Sequence, residues 1–310
     1  MDFYFSSLLP HTLEAEFLLN KPDACVLLSQ LNDRTHIGRW IEKNQECENK
    51  VKLFIDSGAF TSWTKGITID IDEYISYLNS ISDDVTCYAS LDVIPGKSGR
   101  STLPTPQESK EASDKSWDNY LYMRVRVKHP DKLLYTFHIG EDYQYLKNAL
   151  EYSDKLGKVG YLGLGGVVGK NDSDIIDFLE KCFDIIQNSS NPNIRVHTFG
   201  MTRFKTLKQF PIYSTDSTSY IQKGAFGTIM IDNTVIPIST NSELEDSNII
   251  NRNPAFKEVL DQKLKERNMT MEELQTSRDK RVLFNCISYY ELVQTYKYTP
   301  RVKTVTTDLW

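Results

Sequence analysis

The sequence has no run of about 20 apolar residues, the length a helix needs to cross a bilayer. Its first residues, Met1-Asp-Phe-Tyr-Phe5, lack the basic start and long apolar core of a secretory signal, so no targeting segment is expected. Cysteine is sparse. The five (Cys25, Cys47, Cys87, Cys182, Cys286) are scattered and odd in number, which favours reduced thiols in a cytoplasm over a disulfide framework. No two lie close enough for a zinc ribbon, and His11, His36, His129, His138 and His197 are all single, so no metal and no cofactor are expected. There is no GxxxxGK[ST] phosphate loop. Gly163 and Gly165 fall at GxG spacing, but Val168 occupies the position of the third glycine of a dinucleotide fingerprint. A net charge of -6 argues against sequence-blind coating of nucleic acid and leaves room for a local basic groove.

What is present is a core and an alternation. Over 310 residues the chain is 40% hydrophobic and 11% aromatic. Apolar, β-prone runs near residues 3, 25, 52, 87, 134, 160, 195 and 213 are separated mainly by helical segments. Eight strands alternating with helices predict a parallel sheet closed as a (β/α)8 TIM barrel over residues 1–240. A helical C-terminal extension over 241–310 is expected to pack on it, with helix from Asn253 to Arg281 and again from Leu283 to Tyr298. Trp117–Val127 and Glu141 to about Leu156 read as helices. The Gly-, Ser-, Thr- and Pro-rich stretch from Pro95 to Gln107, with Lys97 and Arg100, reads as an exposed loop, either a lid or polynucleotide contact or a connection without function.

The chemistry concentrates where those strands end. Tyr213-Ser-Thr-Asp-Ser-Thr-Ser-Tyr220 surrounds Asp216 with hydroxyls, which suits a carboxylate held ionised and oriented as a nucleophile; alone it reads equally well as a turn. Leu53-Phe-Ile-Asp-Ser-Gly-Ala-Phe60 delivers a second acid, Asp56, at a strand end followed by Gly58, with helix capping as the plainer reading. Asp92, His138, Gly165 and His197 fall at further strand ends. In a barrel these ends converge on one mouth, and that convergence outweighs any single motif. The glycine-rich run Val159–Gly169 is read as backbone on which a flat ligand can lie.

Three stretches in this order, DSGAF at 56–60, LGGVVG at 164–169 and HTFGMTRF…YSTDSTSY at 197–220, resemble the tRNA-guanine transglycosylase superfamily. The similarity covers roughly residues 50–235 and looks closest to the shorter DNA-guanine transglycosylases of phages and bacterial islands. It implies base exchange at a nucleoside C1′, with Asp216 as nucleophile and Asp56 taking the N9 proton of an incoming 7-deazaguanine. The logic is that of a retaining glycosidase. The resemblance further implies that Asp92 reads the purine N1–H and exocyclic amine, and that Gly165 and Gly166 bind near O6. Ser57 and Phe60 would line the pocket, Phe60 by stacking. His138 stands where the family has a Gln, and His197 joins the substrate-binding set.

Two departures shape the expectation. Lys170 replaces the family's glutamate that reads an aminomethyl group, so 7-cyano-7-deazaguanine is the favoured base. The CxCxxC…H zinc site of the tRNA enzymes has no counterpart, which tilts the substrate from tRNA to DNA, with the target base flipped out or single-stranded. The competing readings are a tRNA-acting enzyme, a non-catalytic transglycosylase-like subunit that binds nucleic acid or a partner protein, and an unrelated barrel hydrolase. Retention of both Asp56 and Asp216 favours an enzyme. The expected location is a cytoplasm, the host's for a phage-encoded chain; oligomeric state is left open.

Overall fold

The computed structural model describes residues 1–96, 104–238 and 254–299. Eight parallel strands close into a barrel: β1 Asp2–Ser6, β2 Cys25–Ser29, β3 Lys52–Asp56, β4 Cys87–Ala89, β5 Leu133–His138, β6 Tyr161–Gly165, β7 Arg195–Thr198 and β8 Ser214–Ser217. Each is followed by helix: α1 Leu13–Leu19, α2 Gln30–Glu46, α3 Ala59–Lys65 and α4 Ile71–Ile81, α5 Pro106–Arg124, α6 Tyr143–Glu151, α7 Asp172–Gln187, α8 Phe204–Leu207 and α9 Ser219–Ala225. The ring runs in sequence order and closes where β1 pairs with β8, Tyr4 opposite Asp216. The fold is a (β/α)8 barrel, as the strand count predicts.

The pleat of each strand decides what the site receives. Successive side chains point to opposite faces. Phe3, Phe5, Leu53, Ile55, Tyr135, Phe137, Leu162 and Leu164 face outward and pack in the core under the helices. Their alternates Tyr4, Cys25, Leu27, Phe54, Cys87, Leu134 and Tyr161 form a separate inner plug, with Phe199 against it. The same parity carries Ser6, Asp56, His138, Gly165 and Asp216 inward at the strands' carboxyl ends. Apolar residues fill the barrel below, and polar ones are left at the mouth.

Several boundaries differ from the sequence reading. α5 starts at Pro106, not near Trp117, because Thr105 and Glu108 form a capping box with proline in the first turn. Lys97 and Arg100 of the expected loop lie outside the described residues. α6 ends at Glu151, and a two-residue hairpin (Ser153–Asp154 with Gly157–Lys158) replaces the rest of the expected helix. Pro254–Glu266 (α10) and Met271–Thr276 (α11) are separate helices, and the last, Arg278–Gln294 (α12), begins where Ser277 caps it.

The expected boundary at 240 lies outside the described residues, but the packing divides earlier. Thr228–Ile231 (β9) and Thr234–Pro237 (β10) form a hairpin whose Ile229, Ile231 and Ile236 share a second core with Leu260, Leu264, Leu274 and Phe284 of the C-terminal helices. The hairpin therefore belongs with the extension. α12 lies tightly on α9: a Cβ on Gly224 would come within 2.5 Å of Val282. Tyr289 of α12 stacks on Phe3 of β1 at 5.4 Å. Among the described residues no helix is long and apolar enough to cross a membrane.

Arg281 fastens this extension. It is buried, and its Nε donates to Gly224 O at 2.9 Å while Nη1 donates to Leu274 O at 2.9 Å and Gln275 O at 3.3 Å. Two of these carbonyls end α11, where orphaned acceptors and the negative pole of the helix favour a cation. Arg281→Met keeps the stem and removes three hydrogen bonds. It is expected to cost about 2 kcal/mol in urea unfolding, with buried carbonyls left unmatched as the cause.

Candidate active site

Asp216 sits one residue before the end of β8, buried, and three polar neighbours hold it. Ser6, the last residue of β1, donates its hydroxyl to Oδ2 at 2.6 Å. The Gly200 N–H donates to Oδ1 at 2.8 Å, and His197 Nε2 lies 3.3 Å from the same oxygen. Contacts of this number lock the carboxylate plane. Gly200 can serve because its φ of +69° turns the N–H into the mouth, and a Cβ there would lie 2.7 Å from Val168. Outward-facing Thr215 ties the strand in place by donating to the carbonyls of Thr198 and Met201, both at 2.9 Å.

His197 is not where the sequence reading put it. It is fully buried, and its second nitrogen, Nδ1, lies 2.7 Å from Ser214 Oγ, which in turn is 2.5 Å from the Tyr161 hydroxyl. Both nitrogens are occupied beneath the carboxylate. His197 stands behind Asp216 and reaches no open space for a substrate.

The opposite side of the mouth carries a second constellation. Asp56 ends β3, and its Oδ2 accepts from the Gly58 N–H at 2.9 Å. Burial pushes its carboxyl up to about 7; the charges of Asp92 and Asp216 add to this, and the Gly58 N–H pulls against it. Gly58 is required: its φ is +82°, and a Cβ would meet Leu31 at 2.6 Å. Ser57 is fully buried and donates from Oγ to Asp92 Oδ1 at 3.2 Å. His138 joins two carboxylates, with Nε2 3.0 Å from Asp92 Oδ2 and Nδ1 3.0 Å from Glu141 Oε1. A neutral imidazole has one N–H and cannot serve both. Burial opposes its charge, but the hydrogen bonds and charges of Asp92 and Glu141 prevail and raise His138 to about 10. His138 is thus an imidazolium that fixes Asp92, with neither nitrogen left over to read a base.

The glycines answer a packing need. A Cβ on Gly165 would lie 2.8 Å from the His138 ring, and Gly166, at φ +76°, would place one 3.0 Å from Ile139. The space beside Gly165 is filled by His138; it is not open to a flat ligand. Phe60, by contrast, is 65% exposed at the start of α3, with its ring 6.1 Å from Trp63. A cleft of about 840 Å³ lined by Ala59, Trp63, Lys65, Leu91, Asp92 and Lys115 opens beside it. Among the described residues no three His, Cys, Asp or Glu side chains converge as a metal-ligand set.

Ser6, Gly200, Glu141 and Tyr161 escaped the sequence reading, and Ser214 was seen only as one of the hydroxyls around Asp216. Ser6 had a usable signal, a polar residue ending an apolar strand like Asp56. Glu141 had none: it lies three residues past His138 in a tight turn. No protein-family model matches the chain, and no curated protein matches it.

Proposed function

We propose that the protein is a base-exchange pentosyltransferase that replaces guanine in a polynucleotide by a 7-deazaguanine, with DNA favoured over tRNA and 7-cyano-7-deazaguanine as the favoured base. One observation carries this reading: a carboxylate held by three polar neighbours shares a barrel mouth with a second carboxylate whose proton is poised near neutrality. In a two-step displacement Asp216 attacks C1′ and guanine leaves. Asp56 gives a proton to the departing N9, then takes one from N9 of the incoming base, which displaces Asp216. An acid with a pKa close to ambient pH is suited to both transfers. The Asp92 carboxylate, braced by Ser57 and the His138 imidazolium, offers two acceptors to the N1–H and exocyclic amine of guanine. The exposed Phe60 ring supplies a stacking face for an unstacked base.

The test is incorporation of labelled guanine, and separately of 7-cyano-7-deazaguanine, into DNA and into tRNA. Entry into DNA supports the whole reading. Entry into tRNA alone keeps the chemistry and moves the substrate. Absence of label from both, with folded protein, removes the proposal.

A further inference from the structure

We propose that Tyr161, Ser214 and His197 form a one-way hydrogen-bond relay that saturates one oxygen of Asp216, Oδ1, and leaves the other, Oδ2, as the atom that bonds to the sugar. The chemical half of this rests on the transglycosylase reading; the relay is a property of the resting protein.

Counting hydrogens fixes the direction. The Tyr161 hydroxyl has Ser214 Oγ at 2.5 Å and no other hydrogen-bond partner among the described residues. Ser214 Oγ lies 2.7 Å from His197 Nδ1, and His197 Nε2 lies 3.3 Å from Asp216 Oδ1. If the phenol donates to Ser214, Ser214 donates to Nδ1 and Nε2–H donates to Asp216, every hydrogen has an acceptor. A doubly protonated His197 would turn the Ser214 hydrogen back on Tyr161 and strand the phenol proton. The Nδ1–H tautomer would aim a lone pair at the carboxylate. Burial pushes the Tyr161 phenol far above its ordinary range, so it keeps the proton that starts the chain. Aromatic rings enclose the imidazole, Phe199 at 4.5 Å and Phe54 at 4.9 Å between centroids, and keep water from breaking the sequence.

The lone pairs of Asp216 are then unequal. Oδ1 accepts twice, from Gly200 and His197, and Oδ2 once, from Ser6. A carboxylate oxygen has two acceptor sites, so one remains, on Oδ2. In the first step the C1′–Oδ2 bond forms as C1′–N9 breaks; the electron pair goes to guanine N9, which takes the Asp56 proton. In the second, the incoming N9–H gives its proton to Asp56, N9 bonds to C1′, and the C1′–Oδ2 pair returns to Asp216. Throughout, Oδ1 is the ester carbonyl, and its two donors stabilise the charge that returns. His197, Ser214 and Tyr161 are positioning residues.

Nitrogen-15 NMR of histidine-labelled protein, without substrate, tests the relay directly. The wild type is expected to show His197 protonated at Nε2 alone. In Ser214→Ala that single-tautomer signature should weaken, and Ser214→Thr, which keeps the hydroxyl, should restore it. Kinetically, Ser214→Ala should lower kcat for base exchange about 10- to 100-fold at unchanged KM, again with recovery in Ser214→Thr. A doubly protonated or Nδ1–H His197 in the wild type overturns the relay, as does a Ser214→Ala protein with tautomer and kcat unaltered. Should Ser214→Ala fail to fold, the wild-type tautomer and Tyr161→Phe carry the same test. An Nε2–H tautomer in a protein that exchanges no base upholds the relay and removes only the transglycosylase reading. The reverse pair of results does the opposite.

Discussion

Asp216→Asn is expected to lower guanine exchange by about 10⁴-fold or more while leaving the barrel folded, because it removes the nucleophile and little else. The amide is isosteric. Its oxygen can still accept from Gly200 and His197, and its NH₂ can donate to the Ser6 oxygen in place of accepting from it. What it cannot do is form the ester to C1′. The measurement is intact-protein mass after a rapid acid quench with a guanine-containing oligonucleotide. Wild type should carry a covalent nucleic-acid adduct, and the variant none, with identical circular dichroism. An adduct on the Asp216→Asn protein, or exchange at the wild-type rate, would mean that another group attacks.

Asp56→Asn should have opposite effects on activity and stability. The side chain takes no proton from N9, so exchange should fall by roughly 10²- to 10⁴-fold, the usual worth of a general acid–base. Stability should move the other way, and only at higher pH. The folded carboxyl sits near 7, above the unfolded value of about 4, so between these limits the folded state binds more proton than the unfolded. The Asp56 contribution to wild-type stability therefore falls as pH rises through that window and levels off above it. An amide pays no such penalty and still accepts from the Gly58 N–H. At pH 8 the variant is expected to be more stable by on the order of 2 to 4 kcal/mol, and near pH 3 equal to wild type. Urea titrations at the two pH values check it. A constant difference across pH would show that Asp56 is not held near neutrality. His138, raised to about 10, makes both proteins lose stability as pH climbs above about 6.5, and this shared slope cancels in the difference between them.

Much of the fold was readable because barrel strands announce themselves twice, by apolar runs and by polar residues at their ends. All eight strands, and the placing of Asp56, Asp216, His138 and Gly165 at the mouth, follow from that pattern. Strand parity could have been read further: Tyr4 inward implies Ser6 inward. Helix starts were legible where a cap was present and overlooked, as at Thr105-Pro-Gln-Glu108. The roles of the two histidines were not legible. A strand-end histidine reads the same whether it faces substrate, like a base reader, or is enclosed behind a carboxylate, like His197. Which it is depends on Ser214 and Asp216, across a neighbouring strand, and on the rings around it. Glu141 likewise acts on His138 through a turn whose geometry has no sequence mark. The glycine at 165 was noticed correctly, but what its missing side chain makes room for, the His138 ring, had no mark in the sequence: absence of a side chain signals closeness, but not of what.

The contact between Ser6 and Asp216 joins residues 210 positions apart, across the seam where β1 meets β8. It spans nearly the whole barrel, and loop-closure entropy makes such contacts slow to form. A growing chain on the ribosome thus carries Asp56, Asp92 and His138 long before Asp216 has all its partners. On the proposed reading, bond-breaking power would switch on last, at ring closure, leaving a half-made barrel harmless to the polynucleotides around it. Catalytic competence and completed assembly would then be one event, and activity regained on refolding would be a clock for the seam.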